Sequence, residues 1–388
     1  VEFEFFFFFC HSKAMTTKFR VVTYNVLTPH YCDNISFPQC SPTAVDPDAR
    51  YEVLVRKLNK EISTRAVICL QEVSLGWHNR LIPFFHSKDY HLVACNYGHN
   101  KSGYMGIAVA IPQDLFQVTD CEIVRTSDTY RFPRQSRYRL VEWYRRGLSF
   151  TTWIVNLFTS WFIPSMQVSI YTDSSDMEQA QRRHNQQIML RLKHKETGKS
   201  VVVGNYHMPC EFSRPNVMHL HVAMSANALH RFAQKQLPSP SPSDDSDSDL
   251  APDRSSSPTP PILFLGDFNL KPDSDSYQLM TTGSLPPAVL ASSLKEMPLL
   301  PPTALTVTAP LVSAYAKLKG TDPTFTNYAF SRRGGSFHGC LDYIWVSKGV
   351  EVEDVVELPE TLEDVEPPGP LPTVAEPSDH LLLGASVA

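Results

Sequence analysis

The stretch Pro261-Ile-Leu-Phe-Leu-Gly-Asp-Phe-Asn-Leu270 constrains the fold most. Ile262 to Leu265 form an unbroken apolar run, the mark of a short strand buried on both faces. That strand delivers Gly266, Asp267, Phe268 and Asn269 in succession. Side chains alternate with a period of two, so the Asp267 carboxylate and the Asn269 carboxamide point the same way. Gly266 removes the side chain that would crowd a ligand. Such a pair suits holding a water with the carboxylate and a charged oxygen with the amide. Asp and Asn after a strand are also ordinary turn formers, so the reading depends on other stretches of the same form.

Five others exist. Phe19 to Leu27 is strand-like and ends in Tyr24-Asn25-Val26-Leu27, and Ala66 to Leu70 ends at Gln71-Glu72. Ser200 to Val203 leads to Asn205-Tyr206-His207. Cys340 to Val346 carries Asp342 near its start, and Asp379-His380 immediately precedes the last strand, Leu381 to Val387. The polar group therefore closes four strands and opens two. If those two run antiparallel to the others, all six clusters meet at one edge of the sheets, where open α/β architectures place their sites.

Between these strands, Asp48 caps a helix with Tyr51, Leu54, Val55, Leu58 and Ile62 on one stripe. A short helix near 77–86 and strands near 90–95 and 104–111 follow. Asp176 is expected to start a charged helix running to about Lys195, with Arg182 and Arg183 as phosphate contacts or plain helix surface. Asn216 caps another helix. Pro, Ser and Asp dominate residues 237–261, which read as a disordered surface loop. Residues 148–171 carry no charge and are long enough to span a membrane. Thr151, Asn156, Pro164 and Gln167 lower their hydrophobicity, favouring a lid or buried hairpin over a spanning helix, with interfacial membrane contact left open. Residues 1–17 are read as an extension, of which 1–14 lie outside the natural start. The remaining 18–388 form one domain with an insertion at 131–176.

The net charge of −5 conceals a basic core. Residues 237–261 and 351–376 carry −4 and −9, so the rest of the chain stands at +8. Residues 131–146 hold six arginines against one acid, Glu142, a pattern suited to phosphate contacts or to a solvated lid. The eight cysteines are scattered, with no C-x-x-C pair, which points to reduced thiols and an intracellular, cytoplasmic or nuclear protein. A monomer is expected.

The polar set has a definite chemistry. Glu72 follows a rigid apolar strand, and its carboxylate with neighbouring amide and water oxygens suits Mg²⁺, with Mn²⁺ as the alternative. Asp342 beside His380 would fix the imidazole tautomer and favour its protonated form, which stabilises charge on an attacked phosphorus centre. Asp379 is a further metal-site carboxylate or a turn cap. No covalent nucleophile is present. The set fits water attack on a phosphate ester.

Thr23-Tyr-Asn-Val-Leu27, Cys69-Leu-Gln-Glu-Val73, Asn205-Tyr-His207, Gly266-Asp-Phe-Asn269, Leu341-Asp-Tyr-Ile344 and Ser378-Asp-His380 together resemble the endonuclease/exonuclease/phosphatase superfamily, the deoxyribonuclease I-like fold. Within it the chain looks most like the deadenylase branch that includes nocturnin, Angel proteins and the carbon catabolite repression type exonucleases. The resemblance implies an α/β four-layer sandwich, two packed mixed β-sheets flanked by helices. It also implies that Glu72 binds the principal Mg²⁺ with Asn25 nearby, and that Asp267 orients or deprotonates the attacking water. Asn269 would contact the scissile phosphate, and His207 and Asn205 would hold a non-bridging phosphate oxygen. His380, paired with Asp342, would stabilise the transition state, and Asp379 would assist a second metal. The expected activity is Mg²⁺-dependent hydrolysis of RNA by a 3′ exonuclease of deadenylase type. A phosphatase or phosphodiesterase acting on a small nucleotide or lipid phosphoester, and an inactive binding scaffold, are the alternatives.

Overall fold

The computed structural model describes residues 18–133, 175–235, 259–331 and 335–388. The expected N-terminal extension, the uncharged 148–171 segment, most of the 131–176 insertion and nearly all of the acidic loop lie outside them. In chain order the strands are β1 (Phe19–Asn25), β2 (Val67–Val73), β3 (Tyr90–Asn96), β4 (Gly106–Pro112), β5 (Phe116–Arg125), β6 (Gln186–His194) and β7 (Ser200–His207). They continue as β8 (Ile262–Asp267), β9 (Val312–Ser313), β10 (Asn327–Ser331), β11 (Gly335–Gly339), β12 (Asp342–Val346), β13 (Val352–Val355) and β14 (Leu383–Val387).

Two six-stranded mixed sheets result, ordered β13-β14-β1-β2-β4-β3 and β5-β6-β7-β8-β12-β9, with β10 and β11 as a separate hairpin. Strand alternation explains how they pack. From β1 and β2, Val21, Val67 and Cys69 face Ile188, Val203, Leu263 and Leu265 of the second sheet, forming a layer between the sheets. Val22, Ile68 and Leu70 point outward, beneath Leu54, Leu58, Trp77 and Leu81 of the Pro47–Ser63 and Leu75–His86 helices. The Pro215–Gln234 helix covers the far face, setting Leu220, Leu229 and Phe232 against Val202, Phe264 and Trp345. Four layers follow, as expected.

The strand directions put the polar clusters at one edge. β1 and β2 are parallel, and so are β7 and β8. β12 runs antiparallel to β8 with Asp342 opposite Asp267, and β14 runs antiparallel to β1. Among the described residues no helix is long and apolar enough to cross a membrane, and the seven described cysteines are unpaired.

Three local expectations are corrected. The helix starting at Asp176 ends at Arg182, and Gln186–His194 is a strand. Ile188, Leu190 and Leu192 alternate into the inter-sheet layer, a burial that outweighs the helical propensity of the charged residues. Asp46, rather than Asp48, caps the first long helix, its carboxylate accepting from the amides of Asp48 and Ala49. Asn216 lies one residue inside its helix and donates to Asp176 and Glu296.

Gly266 pairs with Tyr206 across the parallel β7–β8 ladder at φ 149°. A Cβ there would sit 1.8 Å from the Tyr206 carbonyl oxygen, and backbone cannot yield as a flexible side chain can. We expect Gly266→Ala to destabilise the fold by about 3 kcal/mol or more, read as a lowered urea midpoint.

His221 is buried between the Tyr206 hydroxyl, 2.8 Å from Nδ1, and the Ala180 carbonyl, 3.1 Å from Nε2. Burial pushes its pKa down to about 3. The unfolded chain therefore takes up a proton that the native state refuses. This contribution is complete above the unfolded value of about 6.5 and is lost as pH falls, at up to about 1.4 kcal/mol per pH unit. His221→Gln should show a shallower fall in stability between about pH 6 and 4, measured by denaturant titration at each pH.

Candidate active site

β1 and β2 end side by side and present Asn25 and Glu72. The pairing of β2 with β4 slips between Leu70 and Val73, and Glu72 takes the left-handed φ of 57°. A bulge of this kind re-aims a side chain that strict alternation would leave on the helix-covered face. Glu72 is then held through both oxygens, accepting from Asn25 Nδ2 at 3.1 Å and from the Thr28 amide at 3.1 Å. The Asn25 Oδ1 accepts from the Leu27 amide at 3.0 Å, which directs its NH₂ group toward the carboxylates.

The second sheet supplies Asp267 and His207. Asp267 is 2% exposed. Its Oδ1 accepts from the Asn269 amide at 2.9 Å, and its Oδ2 accepts from Asn25 Nδ2 at 3.0 Å. The same Oδ2 lies 3.6 Å from His207 Nε2 and 3.8 Å from His380 Nε2. Burial, and then the Asp342 charge, push the Asp267 carboxyl up to about 6 against the opposing pull of the two histidines and Asn25. The Tyr97 hydroxyl sits 3.1 Å from His207 Nδ1. Asn269 adopts a φ of 50° and donates its amide to the Met208 carbonyl at 3.0 Å.

His380 completes the group. Its Nδ1 lies 2.7 Å from Asp342 Oδ2, which also accepts from the Thr326 hydroxyl at 2.7 Å. Burial works against charging this imidazole, but Asp342 and Asp379 outweigh it and hold its pKa well above the ordinary histidine value. Asp379 is raised by its own burial. Its Oδ2 accepts from Asn327, while Oδ1 is buried without a hydrogen-bond partner among the described residues, 4.0 Å from His380 Nε2.

Asn25, Glu72, His207, Asp267, Asp342, Asp379 and His380 are thus brought together, with Asn269 beside them. Asn205 is not. It is fully buried between the sheets and donates both amide hydrogens to the Leu70 and Ala108 carbonyls, at 3.0 and 2.8 Å. Its Oδ1 accepts from Gln71 at 2.9 Å, so nothing is left over for a phosphate. Arg183 pairs with Glu211, and Arg182 is exposed at the end of its short helix. Neither has a contact with the cluster among those described. Sequence reasoning gave no role to Thr326, Tyr97 or Arg50. Tyr97 leaves no signal in spacing, whereas Arg50 stands four residues before Leu54 and eight before Leu58, on their buried stripe.

Ligand atoms of Asp267, Asp342 and His380 lie within 4.8 Å of one another. Asp342 Oδ2 and His380 Nδ1 are committed to each other, whereas Asp379 Oδ1 and Asp342 Oδ1 are buried without a hydrogen-bond partner among the described residues, and with the Glu72 and Asp267 carboxylates they make up the oxygens that could meet a cation. Four buried or half-buried carboxylates against two imidazoles leave excess negative charge that a hard divalent ion offsets. The donor set fits such an ion. Beside the cluster, the Phe212 and Phe337 rings lie 6.4 Å apart, and Lys271 Nζ is 5.3 Å from the Phe337 centroid.

Two helix-flanked mixed sheets carrying this cluster at one shared edge define the deoxyribonuclease I-like class of α/β sandwich. The chain belongs to the Endonuclease/Exonuclease/phosphatase family, which it matches over residues 22–380. It is 26% identical to human 2',5'-phosphodiesterase 12 over 379 residues, covering 94% of this chain and 50% of the relative. It is 23% identical to the CCR4-Not complex 3'-5'-exoribonuclease subunit Ccr4 of Phaeosphaeria nodorum over 389 residues, covering 94% and 58%. The chain therefore spans about half the length of the relatives it matches. The crystal structure of ANGEL2, described as a 2',3'-cyclic phosphatase, superposes with a TM-score of 0.66 at 19% identity, covering 95% of each chain.

Asp342→Asn should bring the His380 midpoint down, because the strongest charge favouring the imidazolium is removed. An ¹⁵N NMR titration of the ring nitrogens checks this.

Proposed function

We propose that the protein is a Mg²⁺-dependent phosphodiesterase that hydrolyses RNA from its 3′ end, of deadenylase type, within an 18–388 catalytic domain. The observation that carries this reading is the position of Asn25 Nδ2, within 3.5 Å of Glu72, Asp267 and His380 at once. Groups from both sheets therefore converge on one point, within reach of a single phosphate group. Bound beside Glu72 and Asp267, the metal ion would act as a Lewis acid on the phosphate.

Each residue then has a separate task. Asp267, its carboxyl pushed up to about 6 by burial, accepts the proton of the attacking water. Asn25 holds the carboxylates of Glu72 and Asp267 apart by donating to both. His380, kept protonated by Asp342, donates Nε2–H to a phosphate oxygen as negative charge grows. His207, oriented by Tyr97, faces the same volume from the second sheet. Asn269, whose amide is turned to Met208, is a positioning group in this arrangement. The Phe212 and Phe337 faces with Lys271 suit a stacked base and its phosphate. The names of the sequence relatives support ribonucleotide chemistry, one with a 2',5' and one with a 3'-5' designation. The unpaired thiols support an intracellular setting.

The test is a panel of 3′,5′-oligo(A), 2′,5′-oligo(A), a nicotinamide dinucleotide phosphate and a phospholipid, with Mg²⁺ or chelator. Oligoadenylate cleavage that requires Mg²⁺ is expected. Glu72→Ala should lower kcat by about 10³-fold or more while keeping the melting temperature near that of the parent. Turnover confined to the small-molecule substrates, or wild-type rates in Glu72→Ala, would reject the assignment.

A further inference from the structure

Among the described residues, Arg50 is a buried cation with no carboxylate partner. It sits on the inner stripe of the Pro47–Ser63 helix and is 1% exposed. Its guanidinium donates to main-chain carbonyls instead. Nη2 reaches the Val26 and Leu27 oxygens, at 2.9 and 2.6 Å. Nε reaches the Pro377 oxygen at 2.6 Å. The Trp77 ring lies 5.1 Å from Cζ. Nη1 is buried with no hydrogen-bond partner among the described residues.

The two segments so joined are more than 300 residues apart in sequence, and each abuts the cluster. Val26 and Leu27 directly follow Asn25, and Leu27 has a left-handed φ of 52°. Pro377 opens the turn that carries Asp379 and His380. A second bond crosses the same gap, the Ser378 hydroxyl donating to the Asn25 carbonyl at 2.7 Å. Charging a group this deeply buried is costly unless it does something a neutral side chain cannot. Here the planar fork satisfies three carbonyls on two turns, which the point charge of a lysine cannot do in the same geometry. Its charge also acts on Asp379 and Glu72 from behind.

We propose that Arg50 is a positioning residue that sets the spacing of Asn25 against His380, and thereby governs the turnover step rather than substrate binding. This rests on the hydrolase reading above. Displacing one reacting group by about 1 Å can cost about 10²-fold in rate, whereas the surface that receives the substrate is left intact.

Arg50→Lys and Arg50→Ala decide the matter in the full chain with Mg²⁺, with rates on oligo(A) normalised to the folded fraction from thermal melts. The expected result for Arg50→Lys is a kcat lower by about 10²-fold with KM within about threefold. Methylguanidinium added to Arg50→Ala should restore at least about tenfold in rate. The ¹⁵N-coupled ring resonances of His380 should move in Arg50→Lys while its far-UV circular dichroism matches the parent. If Arg50→Ala does not fold, Arg50→Lys carries the test. A folded Arg50→Lys with parental kcat, or with unmoved His380 resonances, overturns the proposal. A wild-type protein inactive on every substrate instead rejects the hydrolase reading, and the His380 spectra still decide the role of Arg50.

Discussion

The side-chain amide of Asn205 ties the two sheets together inside the layer between them by something other than apolar packing. It rises from β7, two residues before the end of the strand, into the layer between the sheets, and it meets Leu70, Gln71 and Ala108 of the opposite sheet. Apolar contacts are non-directional, so they hold two sheets together without fixing how far one slides along the other. An amide with both hydrogens and its oxygen engaged does fix it, because leaving such a buried group unpaired costs about 1–3 kcal/mol. Glu72 follows Gln71 by one residue, and His207 follows Asn205 by two. The distance between the contributions of the two sheets to the cluster is therefore set at this point.

Beyond that tie, the cluster is held by backbone that departs from regular strand. Leu27, Glu72 and Asn269 all adopt left-handed conformations, which cost a non-glycine residue about 1 kcal/mol or more. Each is held by bonds that define its direction: the Asn25 oxygen to the Leu27 amide, the Glu72 carboxylate to Thr28, the Asp267 carboxylate to the Asn269 amide. Side chains that would otherwise splay from the strand ends are turned toward a common centre. Their electrostatics follow from crowding. Asp267 is pushed up by burial and by Asp342, while the same Asp342 keeps His380 charged, so one buried carboxylate separates the protonation behaviour of its two neighbours.

Much of this was legible in the sequence because strand ends carry a simple signature. An apolar run followed by Gly-Asp-Phe-Asn or Gln-Glu reads directly as a buried strand that emerges with a polar load, and the order in which polar residues open or close each strand foretold the antiparallel course of β12. What sequence could not separate was a polar residue facing the site from one facing the partner sheet. Asn205 and His207 are two apart and look alike on the strand, yet one is spent on cross-sheet bonds and the other reaches Asp267. The stretch after Asp176 misled for a different reason, since its charged residues mask the alternation of Ile188, Leu190 and Leu192. Arg50 and Tyr97 make tertiary contacts that no local pattern announces, although the place of Arg50 on an apolar stripe is itself unusual.

All the cluster residues on β1, β2, β7 and β8 stand at the carboxyl ends of their strands, and β8 alone separates its two ends by roughly 17 Å over six residues. The chain between Gln234 and Ile262 enters β8 at its amino end, the pole opposite Asp267. Ile262 therefore stands a full strand's length from Asp267, and the buried apolar body of β8 separates the point where the chain enters the sheet from the chemistry at its far end.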